Sequence, residues 1–392
     1  MSKSTTPTAR PSFREALRSA TRLTGMGKLM DATRMIQRAL LGEAPAQPPP
    51  APPSIQPALR SLAAVNPEPA DHTPQVSTAP QPASTEPPKA ALKATVADTA
   101  AAPRKASFTK HQFVFEGDTY PYRLYIPPAT ATHVDAAQRM PLVVLLHGCK
   151  QDALDFSHGT AMNALAEEHH ALVLYPEQIT SSNAMRCWNW FDPSHQQAGR
   201  GEPGMVATLA RKIVSQHSAD PDRVYVAGLS AGGAMAAVVA NLYPHVFAAV
   251  GVHSGLAAGA AQSMMQAFSA MQEGAKGSHT TALPTIVFHG TADQTVNPSN
   301  AKFITQAALA AFKAEGVDLV KSKVSIKNPG DESADRTLYT AANGKPMVES
   351  WRINAGPHAW SGGNAQGSYT DPDGPNASRA MLAFFLQHHK GE

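Results

Sequence analysis

The stretch from Arg223 to Ala236 constrains the fold more than any other, because a strand-like run passes directly into a helix-like run. The apolar residues Val224 to Ala227 lead into Gly-Leu-Ser-Ala-Gly at 228–232, and an Ala-rich run follows as far as Leu242. Glycines two positions before and two positions after Ser230 leave room for a turn in which larger residues would collide. The pattern predicts a strand, a sharp turn and a helix, with Ser230 exposed at the turn.

A serine exposed at such a turn is typical of a catalytic nucleophile, which needs a histidine base and a carboxylate that orients the histidine. In this arrangement the acid and the histidine follow the serine in that order along the chain. Asp293 is the predicted acid, because it follows the buried strand-like run Pro284–Gly290 and would lie at the carboxyl end of that strand. His358 is the predicted base, because it lies in the glycine-rich segment 355–363 after another strand-like run.

Three other histidines of the chain are alternatives to His358. His147 precedes Ser230, which excludes it as the base in this chain order and predicts a structural role in the loop after an early apolar strand. His289 is too close to the predicted acid to serve as its base, and it is interpreted as a hydrogen-bonded loop residue. His253 ends the strand after the predicted helix, and the sequence leaves open whether it lines the pocket.

The loop after the apolar run Leu142–Leu146 is predicted to supply a backbone amide to the site. Acyl transfer requires two such donors aimed at the oxygen of the tetrahedral intermediate. The predicted pair, called the oxyanion hole, consists of the amides of Cys149 and Ala231, the second at the start of the helix after Ser230.

Cys149 and Cys187 are the two cysteines of the chain. Two thiols without a surrounding Cys/His cluster argue against a metal site, and no cofactor is expected. The two either form a disulfide across 38 positions, which would tie the segment 187–191 to the oxyanion loop, or are free thiols of a reducing compartment. The disulfide is favoured because both cysteines fall in predicted active-site loops.

Four segments carry a family resemblance when they are taken together: Leu146–Cys149, Cys187–Phe191, Gly228–Gly233 and Gly356–Gly363. They resemble the polyhydroxybutyrate (PHB) depolymerase family of esterases, which also contains feruloyl and acetylxylan esterases. The resemblance extends from about Ser107 to the end of the chain. Pro357 and Ser361 depart from the family pattern, which often has glycine and proline there, so the shape of this loop stays open.

The resemblance implies an α/β-hydrolase fold, with a mostly parallel central sheet and helices on both faces. It also implies the same catalytic triad and oxyanion amides that the residues themselves indicate. Tryptophans around an acyl pocket are a further implication, and the predicted substrate contacts are Trp188, Trp190 and Trp360. Ordinary core packing of these three side chains is the alternative.

Composition divides the 392 residues into three predicted parts. Residues 1–42 carry apolar residues at helical spacings with glycines between two runs, and they predict a short basic helical hairpin. Fifteen of the 33 prolines lie between Pro45 and Pro103, so residues 43–106 are predicted to be a disordered Pro/Ala-rich linker. Residues 107–392 are long enough for one α/β-hydrolase catalytic domain.

The partners and the compartment are less constrained. The basic side chains of the hairpin either form a solvated face or contact a partner protein or surface, and docking of a partner is the functional hypothesis. A formal net charge of +3 requires no nucleic acid. The sequence shows no run long enough to span a bilayer and no secretory signal in its first residues. The resemblance implies an extracellular protein and the residues alone favour the cytoplasm, so the localisation stays open.

Within residues 107–392, strand-like and helix-like runs alternate as an α/β fold requires. The predicted strands are 112–116, 122–126, 142–146, 171–175, 223–227, 248–252, 285–288 and 348–353. The predicted helices are 161–169, 205–217, 232–243, 262–273, 300–315 and 376–388.

The sequence therefore predicts a serine esterase that forms an acyl-enzyme on Ser230. The predicted substrates are small or oligomeric esters, namely short-chain hydroxyalkanoate oligomers or polyhydroxybutyrate-like polyesters. Feruloyl or acetylxylan esterase activity is the alternative that the resemblance implies. A peptidase would use the same triad, and a non-catalytic binding protein of this fold is the alternative from a different class.

Overall fold

The computed structural model describes residues 105–128, 139–278, 281–326 and 333–391. The chain divides into two units, Met1–Thr99 and Ala100–Glu392, and every described residue belongs to the second. The hairpin predicted for residues 1–42 and the linker predicted for 43–106 lie outside the described residues, except for positions 105 and 106.

One large sheet organises the described residues. Its strands are β1 (Ser107–Phe115), β2 (Asp118–Ile126), β3 (Leu142–Leu146), β4 (Leu172–Pro176), β5 (Val224–Leu229), β6 (Ala249–His253), β7 (Thr285–Gly290), β8 (Val320–Ile326), β9 (Ala334–Thr340) and β10 (Pro346–Ile353). They are ordered β1-β2-β4-β3-β5-β6-β7-β10-β9-β8. The six strands from β4 to β10 are parallel, and antiparallel strands flank them at both edges.

The helices connect the parallel strands. They are α1 (Ala153–Thr160), α2 (Met162–Glu168), α3 (Gly201–Gln216), α4 (Ala231–Leu242), α5 (Met264–Glu273), α6 (Ser299–Ala314) and α7 (Ala377–Phe385). A 3₁₀ turn at Pro193–Gln196 and two short strands, β11 (Trp360–Ser361) and β12 (Thr370–Asp371), lie in the loops. No helix among the described residues is long and apolar enough to cross a membrane.

The core has two halves, one on each face of the sheet. Side chains alternate along a strand, so Val226 of β5 belongs to one apolar cluster while Tyr225 and Ala227 belong to the other. The first cluster includes residues of α3, α4 and α5, and the second includes residues of α1, α2 and α7. Both faces are thus covered by helices, which confirms the predicted architecture.

The structure also adds elements that the sequence patterns did not predict. Helix α1 begins at Asp152, whose carboxylate accepts hydrogen bonds from the backbone amides of Leu154 and Asp155. Strands β8 and β9 form an antiparallel extension of the sheet beyond β10. Strand β1 begins at Ser107, which is earlier than the predicted start at position 112.

Candidate active site

The sharp turn predicted at Ser230 lies between β5 and α4. Ser230 has φ 57° and ψ −119°, a backbone conformation that is costly for a residue with a side chain. Its amide donates a hydrogen bond to the carbonyl of His253 at 2.9 Å. A Cβ atom on Gly232 would lie 2.1 Å from the carbonyl oxygen of Leu146, and one on Gly228 would lie 2.4 Å from the carbonyl carbon of Gly232. Side chains at these two glycines would therefore prevent the turn from packing.

The structure brings the three residues of the predicted triad together at the carboxyl edge of the sheet. The Nε2 atom of His358 lies 2.9 Å from Ser230 Oγ, and its Nδ1 atom lies 2.7 Å from Asp293 Oδ2. The side chain of Asp293 is fully buried and that of His358 is 13% exposed. Because the carboxylate accepts from Nδ1, the neutral ring has Nε2 free to accept the serine proton.

The carboxylate of Asp293 is held by more donors than the triad requires. Its Oδ1 atom accepts from the amides of Thr295 at 2.9 Å and Val296 at 2.8 Å. Its Oδ2 atom also lies 3.3 Å from Nε2 of His289. Burial alone would raise the pKa of Asp293, but the hydrogen bonds from His289 and His358 outweigh burial and hold that pKa well below its usual range. Asp293 is therefore ionised at neutral pH.

The amides predicted for the oxyanion hole are Cys149 and Ala231, and neither has a hydrogen-bond partner among the described residues. The amides next to Cys149 are both engaged: Gly148 donates to Oε1 of Gln151 at 2.9 Å, and Lys150 donates to the carbonyl of Met185 at 2.7 Å. The loop is thus fixed on either side of an amide that is left unpaired. Its placement at the predicted oxyanion hole remains a proposal.

A disulfide bond joins Cys149 to Cys187, whose Cα atoms are 4.2 Å apart. It connects the loop after β3 to the segment that contains Trp188 and Trp190. Gln178 Nε2 donates to the carbonyl of Cys187 at 3.0 Å. The segment is therefore attached to the loop after β3 by a covalent bond and to Gln178 by a hydrogen bond.

Two residues that the sequence did not single out hold these loops. Glu202 is buried at the start of α3, where it accepts from the backbone amide of Asn189 at 2.7 Å and from the side-chain amide of Asn189 at 2.6 Å. Gln151 accepts from Gly148 and donates to Asp155 and to the carbonyl of Ser368. An isolated Glu or Gln belongs to no motif, so neither role could be predicted from the sequence.

The other candidate histidines are structural parts of the same region. His147 is buried, with Nδ1 donating to the carbonyl of Gly148 at 2.7 Å and Nε2 accepting from the amide of Gln178 at 3.1 Å. Burial lowers the pKa of His147 to about 4. His253 is also fully buried, and its Nε2 accepts from the amide of Ser361 at 3.0 Å. Burial lowers the pKa of His253 to about 3, so both rings are neutral and neither lines an open pocket.

The three tryptophans predicted as substrate contacts are buried, which corrects that prediction. Trp188, Trp190 and Trp360 are 0%, 3% and 1% exposed. The indole N–H of Trp188 donates to the carbonyl of His147, and that of Trp360 donates to Ser378 Oγ. An indole with an apolar body and a satisfied N–H is stable in a core, so core packing, the alternative, describes these residues.

Within the described ranges, no three His, Cys, Asp or Glu side chains are grouped so that they could hold a metal ion. The serine, the histidine and the ionised aspartate of the predicted triad are in contact, and the amide of Ala231 directly follows the serine. This arrangement is suited to acyl transfer.

Comparison with solved structures defines the class of fold. An acetyl xylan esterase from Aspergillus awamori superposes with a TM-score of 0.54 at 20% sequence identity, covering 71% of this chain and 99% of that chain. At this identity the likeness concerns the fold alone. Together with the sheet order and the helices on both faces, it confirms the predicted α/β-hydrolase fold.

A family model described as "Esterase PHB depolymerase" matches residues 120–317, which is about half of the chain. The chain therefore belongs to the PHB depolymerase family of esterases. The matched range contains Ser230 and Asp293 but ends before His358, so the geometry of the structure supplies the argument for the histidine.

The names of individual relatives differ in the activity that they state. Poly(3-hydroxyalkanoate) depolymerase C of Paucimonas lemoignei is 34% identical over 267 residues, which cover 63% of this chain and 59% of the relative. Poly(3-hydroxybutyrate) depolymerase of Ralstonia pickettii is 30% identical and is covered over 48% of its length. Feruloyl esterase B of Thermothelomyces thermophilus is 29% identical, with 53% of this chain and 74% of the relative covered. This chain thus spans less than two thirds of each depolymerase.

Proposed function

We propose that this protein is a serine esterase that hydrolyses carboxylic esters through an acyl-enzyme on Ser230. The observation that carries the proposal is the continuous hydrogen-bonded chain from Asp293 Oδ2 through His358 to Ser230 Oγ, with distances of 2.7 and 2.9 Å. Membership of an esterase family supports the same reaction class.

In the first half of the proposed reaction, Ser230 Oγ attacks the ester carbonyl carbon while His358 Nε2 takes the serine proton. The carbonyl oxygen becomes negative and accepts hydrogen bonds from the amides of Cys149 and Ala231. The C–O bond to the alcohol then breaks, and His358 returns its proton to the leaving alkoxide. The products of this step are a free alcohol and an ester of Ser230.

In the second half, water takes the place of the alcohol. His358 removes a proton from the water as its oxygen attacks the acyl carbon, and the same two amides stabilise the second oxyanion. Collapse of the intermediate releases the carboxylic acid and returns the proton to Ser230. Asp293 stays ionised throughout, because its depressed pKa reflects the hydrogen bonds that also orient the imidazole.

The proposed substrates are short-chain hydroxyalkanoate oligomers or polyhydroxybutyrate-like polyesters. The names of the two depolymerases among the relatives support this class. Feruloyl or acetylxylan esterase activity is the alternative, supported by the named feruloyl and acetylxylan esterases.

A panel of substrates tests this proposal. Purified full-length protein should hydrolyse p-nitrophenyl butyrate and hydroxybutyrate oligomers, and Ser230→Ala should lose at least about 10⁴-fold in kcat/KM. A methyl ferulate, an acetylated xylan fragment and a peptide amide complete the panel. Preferred cleavage of the peptide would overturn the esterase proposal, and preferred cleavage of ferulate or acetylxylan would replace the substrate class.

We also propose, from the sequence pattern alone, that residues 1–42 form a basic hairpin that docks a partner and that residues 43–106 tether it to the catalytic domain, residues 107–392. Removal of the first 42 residues should then change partner binding or localisation without changing ester hydrolysis. Unchanged binding and localisation would refute the docking role.

A further inference from the structure

A cavity lies beside His289, whose ring also contacts Asp293. It is a cavity of about 380 Å³ between α6 and the strands β8, β9 and β10, with His289 of β7 among the residues that line it. Neither Ser230 nor His358 belongs to its lining. The cavity is therefore separate from the proposed acyl-transfer site.

The sheet under this part of α6 carries several polar side chains beside Trp351, although a sheet face covered by a helix is usually apolar. Nearby on the same face, Val348 of β10 packs against Ala308 and Phe312 of α6. Side chains alternate along the strand, so Ser350 and Arg352 follow Val348 on this face. The lining also includes the hydroxyls of Thr337 and Tyr339 on β9. Apolar packing of α6 does not explain these polar groups.

The charged residues that line the cavity are all basic: Lys302, Lys321 and Arg352. Neither lysine has a salt bridge among the described residues. Arg352 lies 3.7 Å from Asp335 Oδ2, but that carboxylate also pairs with Lys323 at 3.0 Å. The cavity therefore has an excess of positive charge and is suited to an anion.

His289 adds a buried ring nitrogen, Nδ1, that has no hydrogen-bond partner among the described residues. It is 2% exposed, and its Nε2 atom donates to the carbonyl of Val296 at 2.9 Å. In the neutral ring Nδ1 is consequently an acceptor, and Nδ1 has no hydrogen-bond partner among the described residues. Leaving a buried acceptor without a donor has a free-energy cost. A ligand hydroxyl at the cavity floor would remove that cost.

We propose that this cavity binds a small hydroxylated carboxylate. The carboxylate would pair with Lys302, Lys321 and Arg352, and the ligand hydroxyl would meet the hydroxyl side chains and His289. Because Nε2 of His289 lies 3.3 Å from Asp293 Oδ2, the cavity shares one side chain with the surroundings of the proposed catalytic acid. The choice of ligand rests on the proposed function, since hydrolysis of a hydroxyalkanoate ester releases an acid of this class.

Titration calorimetry on the full-length protein tests the site. The proposed active site is first blocked with a fluorophosphonate, so that binding there does not contribute, and 3-hydroxybutyrate is the probe. We expect one saturable binding event, with weaker binding of butyrate and of inorganic phosphate. The double variant Lys321→Gln/Arg352→Gln, which changes two exposed side chains, should bind at least about tenfold more weakly. Lys313→Gln, which removes a lysine of α6 outside the cavity, is the control and should bind like the wild type.

Three results would overturn the proposal: no saturable binding up to about 20 mM probe, equal binding by the double variant, or tighter binding of phosphate than of 3-hydroxybutyrate. Hydrolysis of p-nitrophenyl butyrate by the double variant should stay within about twofold of wild type. If the fluorophosphonate does not react, the serine esterase proposal fails, and the titration on untreated protein still tests the cavity.

Discussion

Two parts of the same sheet have opposite environments: the central strands β5, β6 and β7, and the outer ribbon formed by β8 and β9. Every residue of β5, β6 and β7 is buried, and Ser230 and Asp293 lie in the turns that follow β5 and β7. In β8, six of the seven residues are exposed, and this strand carries Lys321, one of the cations that line the cavity beside His289. The proposed reacting groups therefore follow strands that are buried throughout, whereas β8 at the edge of the sheet is mostly exposed.

Two aspartates test this difference most strongly. Asp293→Asn should reduce kcat by about 10⁴-fold, because an amide no longer holds the histidine tautomer that accepts the serine proton. Asp335→Asn, on the ribbon, should leave kcat within about twofold. Steady-state hydrolysis of p-nitrophenyl butyrate measures both. Comparable losses in the two variants would contradict the separation of the two regions.

The disulfide provides the next largest effect. The double variant Cys149→Ser/Cys187→Ser should lower the free energy of unfolding by about 4 kcal/mol, since the bond closes a loop with a sequence separation of 38. Denaturant unfolding with and without reductant measures this loss, and reductant should have no further effect on the variant. Alkylation of both cysteines in unreduced native protein would show that the bond is absent.

The two buried histidines of the central region predict a loss of stability in acid. Their folded pKa values, about 4 for His147 and about 3 for His253, lie below the ordinary value of 6.5. As the pH falls below about 6.5 the unfolded chain binds protons that the folded protein does not, so stability is full at pH 7 and decreases towards pH 4. Each histidine should contribute a loss of about 2 kcal/mol between pH 7 and pH 5.

Urea unfolding at the two pH values measures that loss, and His253→Gln should reduce it by about 2 kcal/mol. The difference between the two pH values is the quantity compared, because the substitution also changes the stability at pH 7. An equal pH dependence in wild type and variant would contradict the neutral, buried state of this ring.

The smallest predicted effect contrasts two valines. Val226→Thr places a hydroxyl in the fully buried centre of β5 and should cost about 1–3 kcal/mol. Val324→Thr changes a residue of β8 that is 50% exposed and should change stability by less than about 0.5 kcal/mol. Thermal unfolding distinguishes them, and equal shifts would mean that β8 is packed as tightly as β5.

The same contrast explains which parts of the fold the sequence could predict. Parallel strands buried on both faces must be continuous apolar runs, and β3, β5, β6 and β7 are such runs. Strand β8 is almost entirely exposed, so no apolar run marked it. Helix α1 was not predicted because it is short and contains Gly159. The cap at Asp152 and the buried Phe156 are too few to give a helical spacing of apolar residues.

The site was predictable where the chemistry fixes spacing and chain order. The glycines around Ser230 and the order serine, acid, histidine follow from the turn and the sheet edge, so the three triad positions could be named. Closeness in the sequence to predicted active-site residues does not show which way a side chain points. Trp188, Trp190 and Trp360 have such positions in the sequence, but they are buried in the core. The contact between His289 and Asp293 depends on the fold of the loop between them, which has no residue pattern of its own.

The most direct test of the central claim is covalent labelling of the nucleophile. Folded full-length protein is incubated with a fluorophosphonate, digested and mapped by mass spectrometry. We expect one adduct, on Ser230, formed at a rate that falls sharply in His358→Ala because the imidazole no longer takes the serine proton. A folded protein that remains unlabelled, or that is labelled on another serine, would contradict it.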